Sequence, residues 1–379
     1  MNFLTPEQQL WKDTVDRVMQ DEITREYVRE CDIHRNYPYE AYEKVARMGW
    51  LRLLVPEENG GDGGSIFDYA LMCEGLARYG FDFATAFMVS TFTAMNICKF
   101  GTREQQERFL PAFMKGDIRF SISISEPSAG SDAANTRTRS EETSEGWRIT
   151  GQKLWCSGAA ARNTVIAMLT RSDKAAAKHK GLTVLLVPND TPGLDIRRLP
   201  TMARRATGTT EIFADGAVVP SANLLGQPGD GWKIITDHLE LERIAVSAAY
   251  VGNAQQAVTD ALKYAHDRIQ FDKPIYDFQV IRHMLADMQT AVDAARLMVY
   301  RAADIASRGE PCQREVSMAK LMASETLQTV TRNGMQILGG HSMLPEADME
   351  RYFREGMQST IGGGTSQIQR TLIAKSLSL

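Results

Sequence analysis

The chain has 379 residues, 43% hydrophobic and 24% charged, with a formal net charge of −4. That composition suits an ordinary globular protein of two or three compact units, and without a basic excess it gives no reason to expect nucleic-acid binding. No apolar run is expected to reach the ~20 residues of a bilayer span. Residues 1–10 lack the basic flank and apolar core of a signal peptide. The scattered Cys31, Cys73, Cys98, Cys156 and Cys312 are odd in number and have no metal-like spacing, so no metal is expected and a cytoplasmic location is.

The first 117 residues read as helical. Thr5-Pro6-Glu7-Gln8 is a helix start, with Thr5 as N-cap and Pro6 at the first helical position. The glycines of 60–64 demand a loop, and a helix is expected over 66–79. Residues 84–100 are apolar almost all round, as a buried helix would be. Thr102-Arg103-Glu104-Gln105 opens another helix. From Phe120 the alternation Phe-Ser-Ile-Ser-Ile-Ser predicts a strand, followed by strands over 147–150, 165–170, 183–188 and 211–213. After Gly231 the pattern is helical again, over 231–269, 278–308, 312–338 and 365–377, which suggests a bundle. No strand-loop-helix unit carries Gly-x-Gly-x-x-Gly, so a Rossmann site is not expected. The predicted fold is mainly α with a β middle domain: an N-terminal helical domain (1–118), an antiparallel β-barrel or sandwich (119–226) and a C-terminal four-helix bundle (227–379).

Five segments or sets of segments stand out. Ser125-Glu126-Pro127-Ser128-Ala129-Gly130-Ser131-Asp132 is a small-residue turn that lets a ligand approach the backbone. Gly151 to Gly158 contains Trp155, Cys156 and Ser157. Arg268-Ile269-Gln270-Phe271, Phe278-Gln279 and Gln336-Ile337-Leu338-Gly339-Gly340 form a dispersed set, in which Arg268 suits a diphosphate or, taken alone, a solvated helix end. Leu239-Glu240-Leu241-Glu242-Arg243 lies in the long helix. Near the end comes Ile361-Gly362-Gly363-Gly364-Thr365-Ser366-Gln367.

This order of elements and these segments resemble the acyl-CoA dehydrogenase family over essentially the whole chain. The resemblance implies FAD-dependent α,β-dehydrogenation of an acyl-CoA. It places Ser123, Ser125, Trp155 and Ser157 at the flavin ring, and Ser131 near the pantetheine. Arg268, Gln270, Phe271, Gln279, Gln336, Gly339, Gly340, Thr365 and Gln367 would serve the rest of FAD, partly in a neighbouring subunit.

Many members carry the catalytic glutamate where this chain has Gly363. In the isovaleryl-CoA and long-chain branches the base precedes an arginine in the long helix, as Glu242 precedes Arg243 here. The resemblance therefore implies Glu242 as base and the Gly363 N–H as donor to the thioester oxygen. Glu240 and Arg243 would hold Glu242 or the CoA. Residues 84–96 would line the acyl pocket, with Ser90, Thr91 and Thr93 either touching substrate or bonding back to the preceding turn. Phe83, in place of the arginine of glutaryl-CoA dehydrogenases, argues against a glutaryl substrate. The glycine run predicts space for a branched or bulky acyl group.

An electron-transferring flavoprotein partner and a homotetramer are implied. An enoyl-CoA reductase, a dehydrogenase of carrier-protein thioesters, and a non-catalytic FAD-binding subunit of a mixed oligomer remain open. Oxidases of the family carry a further C-terminal domain, so an oxidase is not expected.

Overall fold

The computed structural model describes residues 4–377, apart from the side chain of His238. The N-terminal helices are α1 (Pro6–Asp21), α2 (Arg25–Ile33), α3 (Tyr39–Arg47), α4 (Ile66–Leu76), α5 (Phe81–Phe100) and α6 (Arg103–Met114). The strands are β1 (Arg119–Ser123), β2 (Arg139–Thr143), β3 (Gly146–Ser157), β4 (Thr164–Arg171), β5 (Leu182–Pro188), β6 (Leu194–Arg198), β7 (Thr209–Val219) and β8 (Leu224–Leu225). Then come α7 (Gly231–Asp267), a short hairpin of β9 (Ile269–Gln270) and β10 (Lys273–Pro274), and α8 (Gln279–Ser307), α9 (Gln313–Leu338), α10 (Met349–Ser359) and α11 (Ser366–Ser376). The predicted helix–strand–helix order is what the chain adopts.

Packing divides the described residues into two compact units, 4–33 with Ser65–Ala84 and 242–377, and His34–Gly64 with Thr85–Leu241. In the first unit the two ends of the chain pack together. Arg29 and Arg351 both pair with the fully buried Asp348, and Arg354 pairs with Asp32 of α2 and Glu350. Helices α7 and α4 approach backbone to backbone, so a Cβ at Gly252 would land on the Glu74 carbonyl oxygen. Gly252→Ala is therefore expected to cost about 3 kcal/mol through overpacking of backbone that cannot move aside. A thermal melt reads this, and an unchanged Tm would show that the helices separate without penalty.

The second unit is built on one eight-stranded sheet, in the order β6-β7-β3-β2-β4-β5-β8 with β1 beside β4. Trp147, Ile149, Cys156, Ile166, Met168, Leu185, Val187, Ile212 and Val219 share its core. The sheet is not purely antiparallel as expected. β1 runs parallel to β4, with Phe120 opposite Val165 and Ser123 opposite Met168, and β2 also meets β4 in parallel. The chain can arrange this because the long segment between β1 and β4 returns it to the same edge. Arg119 of β1 lies over the rings of Tyr37, Tyr39 and Tyr42, with its guanidinium carbon 4.7 to 5.7 Å from their centroids, anchoring 34–64 to the sheet.

A second expectation is corrected at α5. This helix is long and apolar enough to cross a membrane, contrary to the sequence reading, but 83% of its most apolar window is buried inside the fold, as in a core helix. Ser90, Thr91 and Thr93 are all buried on it. Ser90 exchanges hydrogen bonds with the Phe120 backbone, and Thr91 bonds back to the Phe87 carbonyl.

Candidate active site

In the first unit, the loop between α10 and α11 carries the glycine run. Gly363 has φ +66° and Gly364 φ +87°, a left-handed pair that glycine adopts at least cost. Their carbonyls are tied down by side chains from three helices. Arg243 Nε of α7 donates to the Gly363 carbonyl at 3.4 Å, and Gln369 Nε2 of α11 to both carbonyls at 3.2 and 3.1 Å. Lys320 Nζ of α9 donates to the Gly364 carbonyl at 2.9 Å and to the Ser359 carbonyl, also at 2.9 Å. The Gly363 N–H, by contrast, donates to no acceptor among the described residues.

Glu242 projects from α7 onto this loop. A Cβ built on Gly363 would stand 3.6 Å from Glu242 Oε1 and 3.9 Å from Lys320 Cε. The loop position and the helix carboxylate that the sequence reading set against each other are thus neighbours. Lys320 completes the group. Burial, then the Arg243 charge, pushes its ammonium down to about 8, while Glu242 and Glu325 pull it back up. Glu240 is half-buried, two positions before Glu242 in the sequence of α7. Thr365 caps α11 by accepting the Ile368 N–H at 3.2 Å, and Gln367 is exposed.

The same unit holds an open groove of about 580 Å³, lined by Tyr264, Arg268, Gln270, Ile275, Ile337, Leu338, Gly339, Gly340, His341 and Leu344. It gathers Arg268, Gln270, Gly339 and Gly340 in one place, while Phe271, Gln279 and Gln336 do not line it. Phe271 sits instead at the tip of the β9–β10 hairpin, 87% exposed, where positive φ at Phe271 and Asp272 makes the tight turn. The Arg268 guanidinium has no side-chain partner among the described residues. Cβ positions at Gly339 and Gly340 meet nothing within 4 Å, so a ligand can approach the backbone there.

In the second unit, Trp155 is a β-bulge. The ladder pairs Leu154 with Glu211 and Cys156 with Thr210, leaving Trp155 as the extra residue. Its φ of +65° is unusual for an aromatic residue, and it leaves the ring 58% exposed. Next to it, the Ser157 hydroxyl makes no hydrogen bond among the described residues, while the Ser157 carbonyl accepts from Ser121 Oγ at 2.8 Å. Ser123 is fully buried with its hydroxyl 3.1 Å from Cys156 Sγ. Burial raises that thiol to about 11, so Cys156 is an inert core residue.

The turn after β1 is fixed by a pair the sequence reading missed. Lys153 and Glu126 are 2.9 Å apart, with side chains 1% and 4% exposed. Lys153 Nζ also donates to the Ile124 carbonyl, and Glu126 accepts the N–H groups of Arg137 and Thr138. Burial alone would raise Glu126, but the Lys153 charge and these hydrogen bonds outweigh it and hold the carboxyl below its usual range. The Ser125 carbonyl takes the Leu154 N–H at 2.9 Å, so turn and bulge are stitched together. Ser131 is exposed beyond them.

Comparisons with known proteins fit this architecture. Acyl-CoA dehydrogenase N-terminal, middle and C-terminal domains match residues 5–117, 121–217 and 229–378. The chain belongs to the acyl-CoA dehydrogenase family. It is 36% identical to a probable acyl-CoA dehydrogenase, YngJ, of Bacillus subtilis, over 100% of both chains. It is 34% identical to an NADH-dependent acryloyl-CoA reductase of Anaerotignum propionicum, over 99% of this chain and 95% of the relative. The butyryl-CoA dehydrogenase structure from Megasphaera elsdenii superposes with a TM-score of 0.93 at 30% identity, covering 100% of both chains. As an acyl-CoA dehydrogenase the chain is an oxidoreductase with FAD as cofactor. The unpaired Arg268 guanidinium beside open glycine backbone fits the anionic part of that cofactor, and the exposed ring of Trp155 fits a planar one.

Of the residues missed in the sequence, Lys153 sits within the segment that was singled out. A lysine on an otherwise inward face of a strand was the available signal. Lys320 offered the same one, a cation on the apolar stripe of α9 between Val316 and Ala323.

Proposed function

We propose that this chain catalyses α,β-dehydrogenation of an acyl-CoA thioester, with Glu242 taking the α-proton while the Gly363 N–H donates to the thioester oxygen. The observation that carries the reading is Glu242 Oε1 lying 3.6 Å from where a Gly363 side chain would begin. A carboxylate alone is a poor base for a thioester α-proton. A donor already aimed at the oxygen lowers that barrier, because it meets charge that develops only as the proton leaves. FAD supplies the acceptor for the β-hydride. Ser123, Ser125, Trp155 and Ser157 would hold its ring. Arg268, Gln270, Phe271, Gln279, Gln336, Gly339 and Gly340 would serve the adenosine diphosphate end of a neighbouring subunit's copy in a homotetramer, and Thr365 and Gln367 would serve FAD as well. Ser131, Glu240 and Arg243 would face the CoA. Residues 1–118, 119–226 and 227–379 are retained as three sequence domains, a cytoplasmic location as the setting, and an electron-transferring flavoprotein as the electron acceptor.

Anaerobic bleaching of the flavin by a panel of acyl-CoAs tests the reading. Because Gly362, Gly363 and Gly364 place no side chain beside the reacting carbons, isobutyryl-CoA and 2-methylbutyryl-CoA are expected to react at least as well as butyryl-CoA. A pocket without that space penalises a methyl group by about 10-fold or more. A strong preference for straight chains would remove the branched-substrate proposal, and no bleaching by any acyl-CoA would favour a non-catalytic subunit. The 34% identity to an acryloyl-CoA reductase supports a second reading, in which the physiological direction is reduction of an enoyl-CoA. Reoxidation of the reduced enzyme by crotonyl-CoA, faster than bleaching by butyryl-CoA, would select it.

A further inference from the structure

We propose that Lys320 is a positioning residue of this site, tying the glycine loop to α9 so that the Gly363 N–H faces the thioester oxygen beside Glu242. This rests on the reading of Gly363 and Glu242 given above. Lys320 is fully buried on the apolar stripe of α9, where an unpaired ammonium would be costly. One of its hydrogen bonds, to the carbonyl of Ser359 at the end of α10, is what a helix C-terminus attracts. A helix cap needs nothing more. The second bond reaches past the helix to Gly364. Arg243 and Gln369 hold the adjacent Gly363 carbonyl, so consecutive carbonyls of the loop are fixed. With those fixed and Gly363 at φ +66°, the direction of its N–H is set before any substrate arrives. Preorganised donors of this kind act without reorganisation during the reaction. The charged groups facing Lys320 are Glu242 and Arg243 of α7 and Glu325 of α9 itself. Its proton therefore also sets the charge balance around the base.

The test separates carbonyl recognition from general binding. In the FAD-loaded Glu242→Gln enzyme, dissociation constants are measured calorimetrically for butyryl-CoA and for S-butyl-CoA, the thioether that lacks the carbonyl oxygen. Their ratio reports the donor to that oxygen. Adding Lys320→Met is expected to reduce the ratio about 10-fold, the effect of misplacing one hydrogen bond to an oxygen carrying partial charge, with thioether affinity unchanged. With Glu242 intact, Lys320→Met is expected to lower kcat about 10-fold while KM moves less than about 3-fold, since the bond strengthens only as the reaction proceeds. An unchanged ratio, or equal weakening of both ligands, overturns the proposal. Lys320→Gln, a neutral donor, covers the case in which Lys320→Met does not fold. A change in rate near pH 8 that belongs to the Lys320 proton is expected to vanish in Lys320→Gln, and one that persists unaltered counts against the assignment. Failure of the Glu242 reading shows separately, as flavin bleaching by butyryl-CoA in the Glu242→Gln enzyme.

Discussion

Glu242→Gln is expected to retain FAD and to lose at least about 1,000-fold in the rate at which substrate bleaches the flavin, within the range that a positioned general base contributes. Glutamine keeps the size of the side chain and most of its hydrogen-bonding capacity, so the loop carrying Gly363 should stay in place. What is lost is the negative oxygen that accepts the α-proton. Among the described residues, the ionisable side chains nearest the glycine loop besides Glu242 are the cations Lys320 and Arg243, which cannot take over as carboxylate base. The measurement is stopped-flow bleaching under anaerobic conditions, with the flavin spectrum recorded first to confirm occupancy. Bleaching at the parent rate would remove Glu242 from the mechanism and reopen the non-catalytic reading.

Lys153→Met is expected to give the largest loss of stability. It leaves Glu126 as a buried carboxylate, 4% exposed, without its counter-ion. Breaking such a pair from one side costs about 3–5 kcal/mol, which corresponds to a fall in Tm of roughly 5 °C for a chain of this size. Because Glu126 and Lys153 stitch the 125–132 turn to the strand bearing Trp155, FAD retention should fall too. The double variant Lys153→Met, Glu126→Gln should recover more than half of the loss, since no buried charge is left over. A double variant no better than the single one would show that packing, not charge, is what Lys153 contributes. The parent carries a matching pH signature. Glu126 titrates below its unfolded value of 4.5, so its contribution is complete above that pH and lost as pH falls through the lower folded value.

Helix starts were the most legible part of the chain. Thr5 and Thr102 form the capping boxes their spacing announced, each accepting the N–H three residues on while a glutamine reaches back. The four late helices begin and end within two residues of the expected bounds. What was missed has physical reasons. Helix α10 buries Arg351, Arg354 and Glu355 beside Met349 and Tyr352, so ion pairing rather than apolar periodicity seats it, and a search for apolar stripes passes over it. Strand β6 does alternate, with Leu194 and Ile196 half-buried against the core and Asp195 and Arg197 exposed, but at five residues with two apolar positions the pattern is too short to stand out. Strand β3 was read only to Thr150, because its alternation breaks near Gly151 and again at Trp155.

At the candidate site the residue types were readable and their grouping was not. Nothing in the spacing of Glu242 and Gly363 states that they meet. That required the resemblance, and the fold places them side by side. Lys320 escaped because a lysine between valine and alanine in a long helix looks like a stray surface residue until the loop carbonyls it serves are in view.

The bulge at Trp155 makes this tryptophan separable from the sheet that carries it. The ladder resumes without a gap on either side, Leu154 with Glu211 and then Cys156 with Thr210. Shortening β3 by that one residue would leave both registers, and the inward face that begins again at Cys156, as they are. The sheet thus holds its core through cross-strand pairing and carries the exposed ring as an insert. Selection can change, remove or re-aim that residue without renegotiating the interior behind it.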